Sequence, residues 1–251
     1  MAICLNNKLK ECGKPLISFV VTCTGKAPEL IRDSVMSIVD LTLGADEREI
    51  IVVDYGVGAS PINGLGAVID EMLYVRIQAK SLPAARNAGL RMASGTHIQF
   101  VRGGDVLNMA HYNHCLDIAR YKHPDMVMFR IVPPDNIDRG AIFRFFEPVA
   151  GTDYMRGDKR GGDVCGYMFR KSLLGGLRFS EKPAASADNG FTREITTRAK
   201  RLFPTVACAC LRRREQQVSG LEDEHIAVQP HTDADSKTLR EKLLRWTSHR
   251  R

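Results

Sequence analysis

Residues 81–101 read SLPAARNAGLRMASGTHIQFV, a helix pattern followed at once by a strand pattern. Residues 83–94 are rich in Ala, Leu and Arg, which favour helices, and Gly95 stands where a left-handed glycine often ends a helix. Residues 96–101 form a short run with three large apolar side chains, typical of a buried strand. The stretch therefore predicts a helix capped by Gly95 and a strand directly after it.

The same alternation of strand and helix continues on both sides of this unit. Further strands are predicted at 15–22, 48–54, 74–78 and 126–132, and further helices after Pro28 and over 108–121. Strands that alternate with helices indicate an α/β fold with a mostly parallel central sheet and helices on both faces. From about residue 133 the pattern weakens, which predicts a less regular second half.

Polar side chains follow the predicted strands at their carboxyl ends, where α/β sheets bind ligands. Thr22, Cys23 and Thr24 end the first strand, Asp54 ends the second, and Asp105 follows the fourth. We therefore expect these residues to line a common ligand site.

Composition limits the class of protein. The chain has 251 residues, of which 44% are hydrophobic and 26% are charged, as in soluble globular proteins. No run of about 18 apolar residues is present, and the first residues lack the pattern of a secretory signal. The seven cysteines contain no C-x-x-C pair, which favours a reduced, cytoplasmic setting.

The formal charge of +7 calls for an anionic partner. Nucleic acid is disfavoured, because only 7% of residues are aromatic and the basic residues match no known binding module. Phosphorylated small molecules and anionic membrane surfaces stay open. His97, His111 and His114 form no metal-binding pattern, since no third ligand lies at a readable spacing.

Several segments, in order, resemble the family 2 glycosyltransferases of GT-A fold, which have a Rossmann-like sheet and a smaller acceptor-side subregion. The most specific match is 81–101, where A-R-N-x-G is followed by A-x-G-x-x-I-x-F. The other matching segments are ISFVVTCTGKAPELIRDSVMSI (17–38), EIIVVDYG (49–56), CGYMFRKSLL (165–174), LRFSE (177–181), ADNGF (187–191) and LRRREQQVSG (211–220). The resemblance covers residues 15 to 220.

The resemblance implies an activity and a division of the chain. It implies transfer of a sugar, with inversion, from a nucleotide diphosphate sugar (a UDP-sugar above all) to a hydroxyl of a saccharide or lipid-linked acceptor, in polysaccharide or glycoconjugate synthesis. It divides the chain into an extension (1–14), a donor-binding half (15–132), an acceptor-side half (133–220) and a basic tail (221–251). The sugar, the acceptor, the linkage and the oligomeric state are not predicted.

The loop after the fourth strand departs from the family pattern. Where the family usually has D-x-D-D, this chain has Arg102, Gly103, Gly104 and Asp105. The departure leaves two functions open: an active transferase, or a GT-A protein that has lost turnover and acts as a binding or partner subunit.

Two residues of this loop each have two interpretations. Asp105 is either a ligand of a weakened Mg²⁺ or Mn²⁺ site, or a turn residue or N-cap of the next helix. Arg102 either replaces the metal and stabilises the leaving diphosphate, or points into water. Gly103 and Gly104 allow backbone N–H groups to approach a phosphate.

The resemblance assigns three further residues. Asp188 is expected to be the general base, or else a helix N-cap. Asp54 is expected to accept a hydrogen bond from uracil, or else to cap the following turn. Arg86 is expected to face the cleft near the diphosphate, or else to be a solvated helix residue.

Residues 236–251 predict a basic amphipathic helix. Leu239, Leu243 and Trp246 share one face, and six Lys or Arg residues accompany them against one acid. This pattern suits a peripheral contact with the cytoplasmic membrane face, or packing of the apolar face on the domain.

Overall fold

The computed structural model contains an alternating series of strands and helices, and it describes residues 13–78, 81–138, 147–156, 162–181 and 187–213. These residues belong to one compact unit. The predicted tail at 221–251 lies outside them, as does most of the predicted extension at 1–14. None of the described helices is both long and apolar enough to cross a membrane.

The first half of the chain confirms the predicted alternation. Its elements are β1 (Ile17–Cys23), α1 (Pro28–Val39), β2 (Arg48–Asp54), β3 (Leu73–Arg76), α2 (Leu82–Met92), β4 (His97–Arg102), β5 (Val106–Leu107) and α3 (Met109–Tyr121). The remaining elements are β6 (Met126–Met128), β7 (Ile131–Val132), α4 (Gly151–Met155), β8 (Tyr167–Arg170), α5 (Ala187–Arg198), β9 (Leu202–Pro204) and β10 (Cys210–Leu211).

The described strands form a seven-stranded sheet and a three-stranded sheet. The larger sheet has the order β3-β2-β1-β4-β8-β6-β9, and the smaller has the order β5-β10-β7. In the larger sheet β8 is antiparallel to β4 and β6, and the other pairs are parallel. The mostly parallel central sheet is therefore confirmed, and β8 and β9 extend it with strands from the second half of the chain.

Helices cover both faces of the larger sheet. Successive residues of β1 alternate between two apolar clusters, with Phe19 and Val21 in one and Val20 in the other. The first cluster includes buried residues of α1 and α3, and the second includes buried residues of α2 and α5. The five described cysteines are buried free thiols, as expected for thiols that pack as small hydrophobes.

The predicted single strand at 126–132 is wrong, because the chain changes sheets within it. β6 pairs with β8 and β9 in the larger sheet, whereas β7 pairs with β10 in the smaller one. Between them the N–H of Phe129 donates to Gly166 at 3.0 Å and that of Arg130 donates to Ala207 at 2.8 Å. Neighbouring chain segments thus interrupt the strand, which an apolar run does not reveal.

The predicted glycine cap of α2 is also wrong. The helix ends at Met92 with Ala93 as its cap, and Gly95 is absent from the described residues with positive φ. Gly95 is required instead for close packing. A Cβ atom there would lie 2.7 Å from the backbone nitrogen of Ser18 and 2.9 Å from the carbonyl carbon of Ile17.

We expect Gly95→Ala to lower the free energy of unfolding by about 1–3 kcal/mol, as overpacking does when the backbone cannot yield. Gly66→Ala is the matched control, because a Cβ atom there meets nothing within 4 Å. Urea unfolding of both variants measures the difference. Equal unfolding midpoints for Gly95→Ala and the wild type would show that β1 and this turn separate without cost.

Candidate functional site

The carboxyl edge of the larger sheet brings the predicted site residues together. β1 lies in the middle, with β2 on one side and β4 on the other. The chain moves outward from β1 to β2 and β3 and then returns to the opposite side of β1 with β4. Such a reversal opens a crevice between the loops that follow the two strands, which is where α/β sheets bind ligands.

A cavity of about 490 Å³ lies at this edge, beyond the ends of β1 and β2. Small residues dominate its lining, which consists of Gly25, Lys26, Ala27, Pro28, Gly56, Gly58, Ala59, Ser60 and Pro61. Its volume lies within the range of small-molecule sites. The sequence pattern pointed to the strand ends and not to these loop residues, although Gly25, Lys26, Ala27, Pro28 and Gly56 lie within segments that resemble the family.

The three predicted binding residues at the end of β1 differ in access. Thr22 and Cys23 are buried within the strand, and Thr24 is partly exposed beside the cavity residue Gly25. The Cys23 thiol donates to the Val53 carbonyl at 3.8 Å, and burial raises its pKa to about 12. Cys23 therefore stays a protonated packing residue, and Thr24 is the only one of the three that is partly exposed.

Asp54 is buried at the end of β2, with only 2% of its surface exposed. One carboxylate oxygen accepts from the Gly56 N–H at 2.9 Å, and the other accepts from the Tyr74 hydroxyl at 2.7 Å. The Gly56 contact is the turn-capping role predicted as the alternative. The Tyr74 hydroxyl also lies 2.7 Å from the hydroxyl of Ser60, so these bonds connect Asp54 to the cavity wall. Uracil recognition by Asp54 stays a prediction.

Arg212 binds two aspartates beside the loop that follows β4. Its Nε and Nη2 donate to the carboxylate of Asp105 at 2.6 to 3.1 Å, and its Nη1 donates to Asp163 at 2.6 Å.

Asp105 was predicted as a site residue, but its N-cap interpretation is wrong, because Asn108 caps α3. Arg212 and Asp163 were missed as site residues; the basic run 212–214 was the only signal for the first.

The environment of Asp163 keeps it ionised. Burial alone raises the pKa of its carboxyl, but the attraction and hydrogen bond of Arg212 outweigh burial and bring the pKa well below its usual range. The N–H of Cys165 also donates to it at 2.9 Å. Asp163 is therefore a fixed negative charge.

Arg86 and Asp188 form a buried ion pair. The Arg86 side chain is 2% exposed and its Nη1 contacts Asp188 Oδ1. Its guanidinium also lies 5.3 Å from the ring centroid of Phe179 and 5.9 Å from that of Phe100. The interpretation of Arg86 as a solvated helix residue is therefore wrong. Burial raises the pKa of the Asp188 carboxyl, with Arg86 opposing.

Asp188 is a residue of the first turn of α5, which begins at Ala187. It therefore lies inside the helix, and the prediction of an N-cap is wrong. An acid at this end of a helix is stabilised by the positive end of the helix dipole.

Arg102 ends β4 and is partly buried. Its positive charge favours the ionised forms of both Asp105 and Asp188, although burial is the larger influence and raises the pKa of each carboxyl. Within the described residues its guanidinium makes no hydrogen bond or ion pair. Six charged side chains thus meet at this edge, a set called the six-charge cluster below: Arg86, Arg102, Arg212, Asp105, Asp163 and Asp188.

The two glycines after Arg102 do not offer their N–H groups to a ligand. The N–H of Gly103 donates to the carbonyl of Thr22 at 2.8 Å, and that of Gly104 donates to the hydroxyl of Ser34 at 2.9 Å. The predicted approach of these groups to a phosphate is therefore wrong. Gly104 is needed for its φ of 99°, a backbone conformation that other residues rarely adopt.

The rings of His97 and His111 form hydrogen bonds with the protein backbone. His111 Nδ1 accepts a hydrogen bond from the Cys208 N–H at 3.1 Å, so this ring is part of the packed structure. Across the described ranges, no three His, Cys, Asp or Glu side chains gather in a way that would hold a metal ion.

Solved structures with the same fold include the following three. S. aureus TarS 1-349 is 16% identical, with a TM-score of 0.66 over 78% of this chain and 60% of that one. The same TarS fragment in complex with UDP-GlcNAc is 16% identical, with a TM-score of 0.65 over 84% and 60%. The mannosyltransferase PcManGT from Pyrobaculum calidifontis, in complex with GDP-Man and Mn²⁺, is 16% identical, with a TM-score of 0.60 over 82% and 59%.

These likenesses confirm the predicted GT-A fold. The chain spans about 60% of the length of the TarS fragment. No protein-family model matches the sequence, and no curated protein matches it.

Proposed function

We propose that the protein is a glycosyltransferase that moves a sugar from a nucleotide diphosphate sugar, a UDP-sugar in particular, to a hydroxyl acceptor with inversion. Two structures of this fold contain a nucleotide sugar, UDP-GlcNAc in one and GDP-Man in the other. The observation that carries the proposal is that the 490 Å³ cavity and the six-charge cluster both lie at the same edge of the sheet.

The parts of a nucleotide sugar match the order in which the cavity and the charged cluster follow each other along this edge. The cavity follows β1 and β2, and the cluster begins at the end of β4, on the other side of β1. We place the nucleoside in the small-residue cavity and the diphosphate over the end of β1, toward Arg102. The sugar then lies near Asp188.

Arg102 is proposed to stabilise the diphosphate leaving group. Arg86 and Arg212 are already ion-paired, whereas Arg102 has no partner in the described part of the chain. A guanidinium matches phosphate oxygens geometrically and keeps its charge. When the bond from the sugar to the diphosphate breaks, this charge is positioned where negative charge develops.

Asp188 is proposed to be the general base. It removes the proton of the acceptor hydroxyl while that oxygen attacks the anomeric carbon from the face opposite the diphosphate. Direct displacement inverts the configuration. A carboxylate whose pKa is raised by burial is a stronger base than an exposed one. Arg86 holds it in place through the buried ion pair.

We expect Arg102→Ala to weaken UDP binding by about 10- to 100-fold, the loss typical of a hydrogen bond to a charged group. Arg91→Ala is the matched control, since Arg91 is an exposed arginine in the last turn of α2. Isothermal titration of both variants at one ionic strength measures the effect. Unchanged affinity in Arg102→Ala would remove this residue from the donor site.

The acceptor and the cellular place are further parts of the proposal. We propose a saccharide or lipid-linked acceptor and a cytoplasmic protein, in peripheral contact with the membrane through the basic tail. The support is the sequence of residues 236–251, with six Lys or Arg residues against one acid.

An inactive binding subunit is the second candidate. It is favoured by the ion pairs that already engage Asp105, Asp163 and Asp188. A panel of nucleotide diphosphate sugars separates the candidates. Each ligand is tested for thermal stabilisation, where a hundredfold excess over the dissociation constant contributes about 2.7 kcal/mol, and then for release of free nucleotide. Stabilisation with release supports the transferase; stabilisation without release to any acceptor supports the subunit.

A further inference from the structure

Arg212 is built into the interior between two acids from different chain segments. Asp105 follows β4, and Asp163 precedes β8. The Arg212 side chain is 18% exposed, Asp105 is 4% exposed and Asp163 is 17% exposed. The guanidinium therefore forms part of the packed structure and does not swing freely in solvent.

All four carboxylate oxygens of these two acids already accept a hydrogen bond. Both oxygens of Asp105 accept from Arg212, and so does Oδ2 of Asp163. Oδ1 of Asp163 accepts from the N–H of Cys165 at 2.9 Å. Ions such as Mg²⁺ need several oxygen ligands directed at the ion in regular geometry. The residues present do not fit such an ion, because their oxygens are directed at donors of the protein.

The charges of the cluster also argue against a metal ion. The six-charge cluster contains three guanidinium groups and three carboxylates, so its formal charges cancel. A divalent cation at Asp105 would stand beside the guanidinium of Arg212, which repels it. The cluster as a whole therefore has no net negative charge to attract a cation.

We propose that Arg212 is a fixed internal cation that replaces a divalent metal, so that this chain binds a nucleotide diphosphate without one. The residue that neutralises Asp105 is then Arg212, and Arg102, which makes no ion pair within the described ranges, is the cation left for the diphosphate. The proposal departs from the metal site that the family resemblance implies, and from PcManGT, whose structure contains Mn²⁺. Its nucleotide-binding part rests on the proposed function, whereas the exclusion of a metal by Arg212 is tested by itself.

The first measurement is Mn²⁺ binding to the full chain without nucleotide. The electron paramagnetic resonance signal of the free ion is the readout, because bound Mn²⁺ no longer contributes to it. We expect an undiminished signal for the wild type. Arg212→Met removes the guanidinium and leaves Asp105 and Asp163 facing its space, so this variant is expected to bind Mn²⁺ and to melt at a higher temperature in its presence. Arg212→Lys keeps a positive charge and is expected to bind none.

The second measurement is UDP affinity in EDTA and in Mn²⁺ at matched ionic strength. Equal affinities support the proposal. Stoichiometric Mn²⁺ binding by the wild type that Asp105→Asn abolishes would overturn it, even if Arg212→Met fails to fold. If UDP binds in neither condition, the proposed function fails, whereas the Mn²⁺ titration still decides whether Arg212 excludes a metal.

Discussion

Asp188→Asn is expected to lower the rate of UDP release from a UDP-sugar by about 100-fold or more, the effect of a lost general base. Asparagine has nearly the same size but cannot take the proton of the attacking hydroxyl. Donor affinity should change little, because the proposed donor contacts lie in the cavity and at Arg102. Initial rates and UDP-sugar affinity, both per folded protein, measure the two effects.

The pH dependence separates a base from a residue that only maintains structure. Asp188 is active as a base only when ionised, and burial raises its pKa above the ordinary value of 3.8. The wild-type rate should therefore fall on acidification at a higher pH than for an exposed aspartate. Asp188→Asn should lack this acid limb. Asn189→Ala, at an exposed neighbour on α5, is the control for local damage. Wild-type rates in Asp188→Asn would remove Asp188 from the mechanism.

Arg212→Met is expected to lower the free energy of unfolding by about 3–5 kcal/mol, the cost of leaving buried charges unpaired. It removes one side chain but leaves two carboxylates, Asp105 and Asp163, without their cation. Changing both acids to Asn in the same chain should recover much of the loss, since no unpaired charge then stays buried. Urea unfolding midpoints of the three proteins give the comparison.

The neighbouring arginine supplies the control for this experiment. Arg213 pairs with Asp33 at 2.9 Å, but both side chains are exposed, by 50% and 40%. Exposed pairs contribute at most about 1 kcal/mol, so Arg213→Met should be nearly neutral. An equally small effect of Arg212→Met would mean that the buried pairs contribute no more than exposed ones.

Much of the fold could be predicted from local pattern. β2 has the predicted bounds, and β1, β3, β4 and α3 lie within one or two residues of theirs. The reason is that a strand buried on both faces needs a continuous apolar run, whichever partners it has. The errors at 126–132 and Gly95 have the opposite cause. There, distant backbone at Gly166 and Ala207, or at Ser18, decides the local structure.

By itself, the sequence determined the order of strands and helices and placed acids at the ends of strands, because both depend on residues near one another in the chain. Only the tertiary structure decided what those acids bind. Asp105 pairs with Arg212, 107 residues later, and Arg86 pairs with Asp188, 102 residues later. A carboxylate can bind a metal ion, a ligand or a guanidinium. Which of these it binds depends on the side chain that tertiary packing places beside it.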